Sequence, residues 1–280
     1  VEVMDAHRSV ATGGRGSEAS PPPMTAVAPE LDQQLRTEPR WMFPWVLGPG
    51  REAPLLGSNL PAVHRTRKEL MERPVREALA AAGPHATALD LACCEGWYSQ
   101  RLIEWGAERV VGVDLREVSI QRAELVRDHF GIPSDRLTFV HADVFDLDLQ
   151  ALGQFDVVLV LGLVYHLEDP VGAVRRARAL TRSLCVIESQ LTRQERPIVH
   201  GNGSPEGLLT AAGSFAAVVE PDAEHNQLAS APGILSLIPN AAAFEQIAEV
   251  AGFERVELAR PRADHDRQYV RGDRAVLLAR

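Results

Sequence analysis

Between Thr87 and Ser189 the chain alternates short, almost unbroken apolar runs with stretches whose apolar residues recur at helical spacing, and few folds accept that rhythm. "TALDLA", "RVVGVD", "LTFVHAD", "FDVVLVLGL" and "SLCVIES" read as strands. Gly96 to Gly106, "REVSIQRAELVRDHF" and "DPVGAVRRARAL" read as helices. Strands apolar on nearly every residue need cover on both faces, which is the condition of a parallel sheet flanked by helices. The pattern predicts an α/β chain. It then lapses after about Gln190 for some fifty residues and returns with Asn240 as an N-cap, a Phe244, Ile247, Ala248, Ala251 stripe, Gly252 as a stop, and two closing strands, "FERVELA" and "RAVLLAR".

The first strand leads into "ALDLACCEGWYSQRL", Ala88 to Leu102. A strand running through a small-residue turn into a helix aims backbone N–H groups and a helix N-terminus at one spot, suited to a polar or anionic cofactor group. Adjacent side chains diverge, so Cys93 and Cys94 make a poor metal pair. The second strand ends in Asp114, where folds of this kind hold a ribose diol; the third ends in Asp143, and the fourth in "GLVYHLEDP". Each acid alone could be an N-cap or a solvated turn residue. The ordered series along one sheet edge points to a ligand site.

Val1 to Glu30, rich in Gly, Ser, Pro and Ala without an apolar period, reads as a disordered leader. Residues 31–83 read as a helical cap, with a helix interrupted at Pro74 and lined by Leu70, Val75 and Leu79. Trp41, Phe43 and Trp45 fit a hydrophobic anchor for the cap better than a pocket wall. Residues 84–280 form the main domain, in which 190–239 reads as a lid-like insertion. A formal charge of -9 argues against a nucleic-acid partner. Three cysteines, two of them neighbours, make no disulfide framework, and no apolar run reaches membrane-span length, so the expectation is a soluble cytoplasmic protein, with a homodimer as an admissible assembly.

On these segments the chain resembles the class I S-adenosylmethionine-dependent methyltransferases. "LDLACCEGW" stands in the place of their "LDLGCGTG" loop, "VVGVD" of their ribose-binding strand, "HADVFD" of their adenine-binding segment, and "FDVVLVLGLVYHLEDP" of their fourth strand. "EGWYS", "GLVYHLEDP" and "CVIESQ" look most like the branch of tRNA wobble-uridine carboxymethyltransferases and small-molecule biosynthetic methyltransferases. The resemblance implies a Rossmann-like, seven-stranded, mostly parallel sheet whose last strand inserts antiparallel beside the fifth. It also implies S-adenosylmethionine as cofactor, held by Asp90, Ala92, Cys93, Gly96, Asp114, Leu115, Asp143, Val144 and Gly162. Of the three glycines in the family loop only Gly96 remains, Ala92 and Cys94 replacing the others. A nicotinamide dehydrogenase would share the strand, loop and ribose acid, but its G-x-G-x-x-G is absent. An intact cofactor edge argues against a non-enzymatic binding module.

Methyl transfer from a sulfonium requires positioning above all, and a base only where the nucleophile starts protonated. The candidates for such chemistry are Tyr165, His166, Glu188, Glu220 and His225. His166 titrates near neutrality and could take a proton from a hydroxyl, or its ring could simply bond a backbone carbonyl. His166, Glu188 and His225 could alternatively form a metal triad for C-methylation of a 2-oxo acid. The acidic composition favours a small-molecule acceptor, with tRNA as the runner-up.

Overall fold

The computed structural model describes residues 27–37, 40–193, 198–199, 209–210, 212–220 and 235–280. Most of the expected leader, His225 and much of the 190–239 insertion lie outside the described residues. Strands β3 (Thr87–Leu91), β4 (Arg109–Asp114), β5 (Leu137–His141), β6 (Phe155–Leu161), β7 (Thr181–Gln190), β12 (Val256–Leu258) and β13 (Arg274–Ala279) build a seven-stranded sheet. Its order is β12-β13-β7-β6-β3-β4-β5, with β13 antiparallel to both neighbours and β3 to β7 parallel. This is the sheet that the sequence implied, including the reversed last strand.

Side chains in the central strands alternate between two cores. Ala88, Val157, Leu159, Leu184 and Val186 enter one, while Leu89, Val158, Val160, Cys185 and Ile187 enter the other. That period of two, with both sets apolar, is why the strands read as continuous hydrophobic runs. The second face is covered by α5 (Leu149–Leu152), α6 (Pro170–Leu180) and α7 (Ala241–Val250). As expected, Asn240 caps α7, accepting from the Ala243 amide.

The first face carries α2 (Leu60–Ala82), α3 (Trp97–Glu104) and α4 (Glu117–His129). Helix α2 runs unbroken through Pro74, against the expected interruption. Proline removes one backbone bond, but Val63, Arg67, Met71, Val75 and Leu79, spaced by four, are all buried on one stripe and hold both halves to the sheet. Leu70 is only half-buried, and Met71 takes the place expected of it. Before α2 come α1 (Pro29–Gln34) and a short hairpin, β1 (Val46–Gly48) with β2 (Arg51–Glu52). Trp41, Phe43 and Trp45 are buried in the first core, as an anchor requires, and Phe43 also lines the cavity described below. Arg122 joins this segment to α4, with its guanidinium 4.6 Å from the Trp41 ring centre.

In the insertion, β8 (Ile198–Val199) pairs with β9 (Leu209–Thr210), and β10 (Phe215–Val219) pairs antiparallel with β11 (Leu235–Pro239). A short α8 (Arg267–Val270) precedes β13. Among the described residues no helix is long and apolar enough to cross a membrane.

Candidate functional site

A cavity of about 840 Å³ opens outside the carboxyl ends of β3 to β7. The core contributes Ala92, Cys94, Asp114, Leu115, Asp143, Val144, Gly162, Tyr165 and His166 to its wall. The cap contributes Met42, Phe43, His64 and Arg67, the insertion Val218, Glu220 and Ile238, and the last strand Arg274. Four parts of the chain that are remote in sequence therefore meet at one sheet edge.

The turn after β3 is held in a conformation that side chains resist. Ala92 and Cys94 have φ of 60° and 52°, and Gly96 has φ of 74°. The bonds that fix it are specific: the Cys94 amide donates to Asp114 Oδ2 (2.8 Å), and the Cys94 thiol to Glu95 Oε2 (3.1 Å). Glu95 also accepts the Met42 amide at 3.0 Å, tying the loop to the cap. Burial pushes the Cys94 thiol well above its ordinary range, and Glu95 adds to the effect.

Six of the nine expected cofactor residues stand on the cavity wall: Ala92, Asp114, Leu115, Asp143, Val144 and Gly162. Asp114 ends β4 almost fully buried, its Oδ1 accepting from the Arg116 amide (2.9 Å) and Nε (3.2 Å). Asp143 accepts the Phe145 amide at 2.8 Å, an Asx turn that keeps its carboxylate at the rim. Asp90, Cys93 and Gly96 are placed beneath the wall. Asp90 accepts from the Ser99 hydroxyl at 2.7 Å. Gly96 faces the Phe139 ring, where a Cβ would come within 2.6 Å of a ring carbon. These three support the turn from below.

Of the expected catalytic residues, Tyr165 and His166 sit together on the 3-10 turn Val164–His166 after β6, with ring centres 4.2 Å apart. His166 Nδ1 lies 2.8 Å from Glu220 Oε1. Burial lowers its pKa below the usual histidine range, although Glu220 works against that.

Glu188 has a different task from the catalytic one expected. It is fully buried, and its oxygens accept from Arg67 (2.8 Å), Arg274 (2.8 Å) and the Tyr269 hydroxyl (2.9 Å). Burial alone would raise this carboxyl, but Arg274 and Arg67 overrule it and hold it at about 2. A carboxylate held at about 2 and bonded through both oxygens to guanidiniums does not suit the base role expected of it, and the alternative metal triad includes His225, outside the described residues.

The sequence reading passed over Arg67, Arg274 and His64. Arg67 was detectable as the one charged residue on an otherwise apolar i, i+4 stripe. Burial, and after it the charge of Arg67, takes the His64 pKa down to about 3. The His64 Nε2 lies 3.0 Å from the Met42 carbonyl oxygen, so the neutral ring donates there. Arg274 opens β13 opposite Gln190 in register, and its guanidinium lies 5.5 Å from the Tyr165 ring centre.

Comparison with known proteins bears on this geometry. A family model described as a methyltransferase domain matches residues 89–185. A tRNA U34 carboxymethyltransferase of Psychromonas ingrahamii is 26% identical over 171 residues, 61% of this chain and 45% of that protein. Its counterpart in Cronobacter sakazakii is 25% identical over 232 residues, 82% of this chain and 60% of that one. The chain spans about half the length of these curated relatives. Among solved structures, the N-terminal domain of EvdMO1, crystallised in the presence of SAH and D-fucose, superposes with a TM-score of 0.63 at 21% identity, covering 90% of this chain and 95% of that one. Magnesium protoporphyrin IX methyltransferase from Synechocystis PCC 6803, with bound SAM, gives 0.51 at 15% identity, covering 90% and 91%. A methyltransferase domain thus spans the central strands, and the sheet order described above is that of the class I, Rossmann-like methyltransferase fold.

Proposed function

We propose that the protein transfers a methyl group from S-adenosylmethionine to a small-molecule acceptor bound between the cap and the insertion hairpin. The observation that carries this reading is the single walled cavity at the carboxyl edge of the sheet. Its volume of about 840 Å³ suits a cofactor and a modest acceptor together. The donor set on one side fits the cofactor. Asp114 would take the ribose diol in place of its long 3.2 Å bond to Arg116 Nε, and Asp143 the adenine amino group. Leu115, Val144 and Phe145 supply an apolar wall for the base. Ala92, Cys94 and Gly162 face the methionine end. Bound there, the cofactor supplies an electrophilic methyl carbon on a positive sulfur. The chain's own work is to orient the acceptor, exclude water and manage a proton.

Calorimetry with S-adenosylhomocysteine and with NAD tests the reading. Binding of the first and not the second is expected, and heat from NAD alone would overturn it.

A second reading draws on the relatives named as tRNA carboxymethyltransferases. Arg67 and Arg274 line the cavity on either side of the buried Glu188, and two guanidiniums there suit a carboxylate-bearing group. Competition between S-adenosylmethionine and its carboxymethyl counterpart separates the two donors, and a tRNA titration separates the two acceptors.

A further inference from the structure

We propose that Glu220, delivered by the β10–β11 hairpin, is the positioning residue that makes His166 the proton acceptor of the transfer. The inference deepens the methyl-transfer reading and rests on it. A carboxylate only accepts hydrogen bonds, so a Glu220 Oε1 at 2.8 Å places the ring hydrogen on Nδ1 and leaves the lone pair on Nε2. His166 stands on the cavity wall, and the proposal gives that lone pair to the acceptor.

The carboxylate is itself held. Glu220 Oε1 also accepts from the buried Ser236 hydroxyl at 2.8 Å, across the hairpin. The hairpin is fastened to the segment that carries His166: the Leu237 amide donates to the Leu167 carbonyl at 3.0 Å, and the Leu235 amide to Glu168 Oε1 at 3.1 Å. At its base the Asn240 amide donates to the Ser214 carbonyl at 2.9 Å. Gly213 packs so closely on α7 that a Cβ would lie 2.3 Å from the Ala243 nitrogen. The pair thus joins two parts of the chain 54 residues apart, and a base completed by the insertion is complete only where the insertion is docked.

The charges around the ring explain why a partner is needed. Arg274 from β13 and Arg116 from the end of β4 both disfavour a positive imidazole, and burial disfavours it more; Glu220 opposes all three. Tyr165 faces the ring from the same turn, and Glu168 follows it in the chain, bonded to the Leu235 amide. At neutral pH the ring is therefore uncharged, which is the state that can accept a proton, and Glu220 is the group that makes the resulting cation tolerable. In the balanced step the acceptor's lone pair bonds to the methyl carbon and the carbon–sulfur pair stays on sulfur. The acceptor's proton passes to His166 Nε2 and later to water. Such a device serves a hydroxyl acceptor, because an alcohol oxygen keeps its proton until the bond to carbon forms.

Histidine side-chain nitrogen NMR on the full chain, with His166 assigned by a His166→Gln variant, tests the pairing without a known acceptor. In the parent protein the neutral ring should carry its hydrogen on Nδ1. Glu220→Gln should keep that tautomer and lower the titration midpoint by about 1, a tenfold loss of proton affinity. Glu220→Ala should lower the midpoint and let the ring change tautomer. A parent ring protonated on Nε2, or a midpoint and tautomer unmoved in Glu220→Ala, would overturn the proposal. S-adenosylhomocysteine calorimetry on the same samples checks folding and separates the two claims. Absent heat in the parent sinks the methyl-transfer reading, whereas a bound cofactor with an unpaired His166 sinks only this one.

Discussion

Arg67 on α2 and Glu188 at the end of β7, 121 positions apart, form a 2.8 Å ion pair in which both side chains are buried. Arg274 on β13 holds the other oxygen of the same carboxylate. The pair ties the cap to the two strands behind the cavity, so the floor of the cavity is also a structural joint.

Removing the anion from this joint should be costly, because two guanidiniums would remain buried with no counter-charge. Glu188→Gln, of nearly the same shape, should destabilise the protein by about 3–5 kcal/mol in urea melts at pH 7. The pH dependence follows from the depressed pKa. Folded Glu188 titrates at about 2, below the ordinary 4.5, so its contribution is present above pH 4.5 and is lost as pH falls toward 2. The parent should lose more stability than Glu188→Gln between pH 5 and pH 3. Parallel curves would show that the joint does not depend on the charge.

Asp90 is the opposite case. Burial raises its carboxyl to about 7, with the Asp114 charge adding to the rise and the Ser99 hydroxyl opposing it. A folded pKa above the ordinary 3.8 means that its contribution is full below pH 3.8 and is lost as pH rises through 7. Asp90→Asn can still accept from Ser99 and has no charge to bury. Its melting temperature should exceed the parent's at pH 8, and the gap should narrow at pH 5. A gap independent of pH would contradict the buried-charge account.

How much of this could be read in the sequence depended on the distance over which each feature is encoded. The sheet was legible because period two, apolar runs and glycine stops are local. The cavity edge was legible because Asp114 ends β4 and Asp143 follows β5 by two residues, and both line the cavity. Glu188 was misread for a physical reason: strand-end position says that a residue is near the site, but not which way its charge is satisfied. That depends on Arg67 and Arg274, which arrive from opposite ends of the chain. Pairing of His166 with Glu220 was hidden in the same way, since it depends on how a hairpin docks.

Asp114 should dominate cofactor affinity. Losing a charge-assisted hydrogen bond costs about 1.5–3 kcal/mol, so Asp114→Asn should weaken S-adenosylhomocysteine binding by roughly ten- to a hundredfold. Asparagine can still accept from the Cys94 amide but sets its NH2 against the Arg116 donors, so a thermal melt of the variant separates a local folding loss from the ribose contact. Unchanged affinity by calorimetry would remove Asp114 from the cofactor site.

The turn itself offers a paired test, because Cys94 and Gly96 both have positive φ but answer to different neighbours. At Cys94 the φ of 52° strains a side chain by about 1 kcal/mol, and glycine relieves it. The substitution gives up the thiol's contacts with Arg116 Nη2 (3.0 Å) and Glu95, both of which have other partners. Cys94→Gly should therefore keep or slightly raise both stability and S-adenosylhomocysteine affinity. At Gly96 strain and crowding add. A Cβ at φ 74° would sit 2.6 Å from one Phe139 ring carbon, 2.9 Å from another and 3.1 Å from the Ala123 Cβ. Gly96→Ala should cost about 2–4 kcal/mol in denaturant melts, combining positive-φ strain with overpacking. Trimming the obstruction in Gly96→Ala/Phe139→Leu should recover part of that loss, while the φ penalty persists. Full stability in Gly96→Ala alone would mean that the turn is free to move away from β5, and that it is not the rigid cradle the cavity needs.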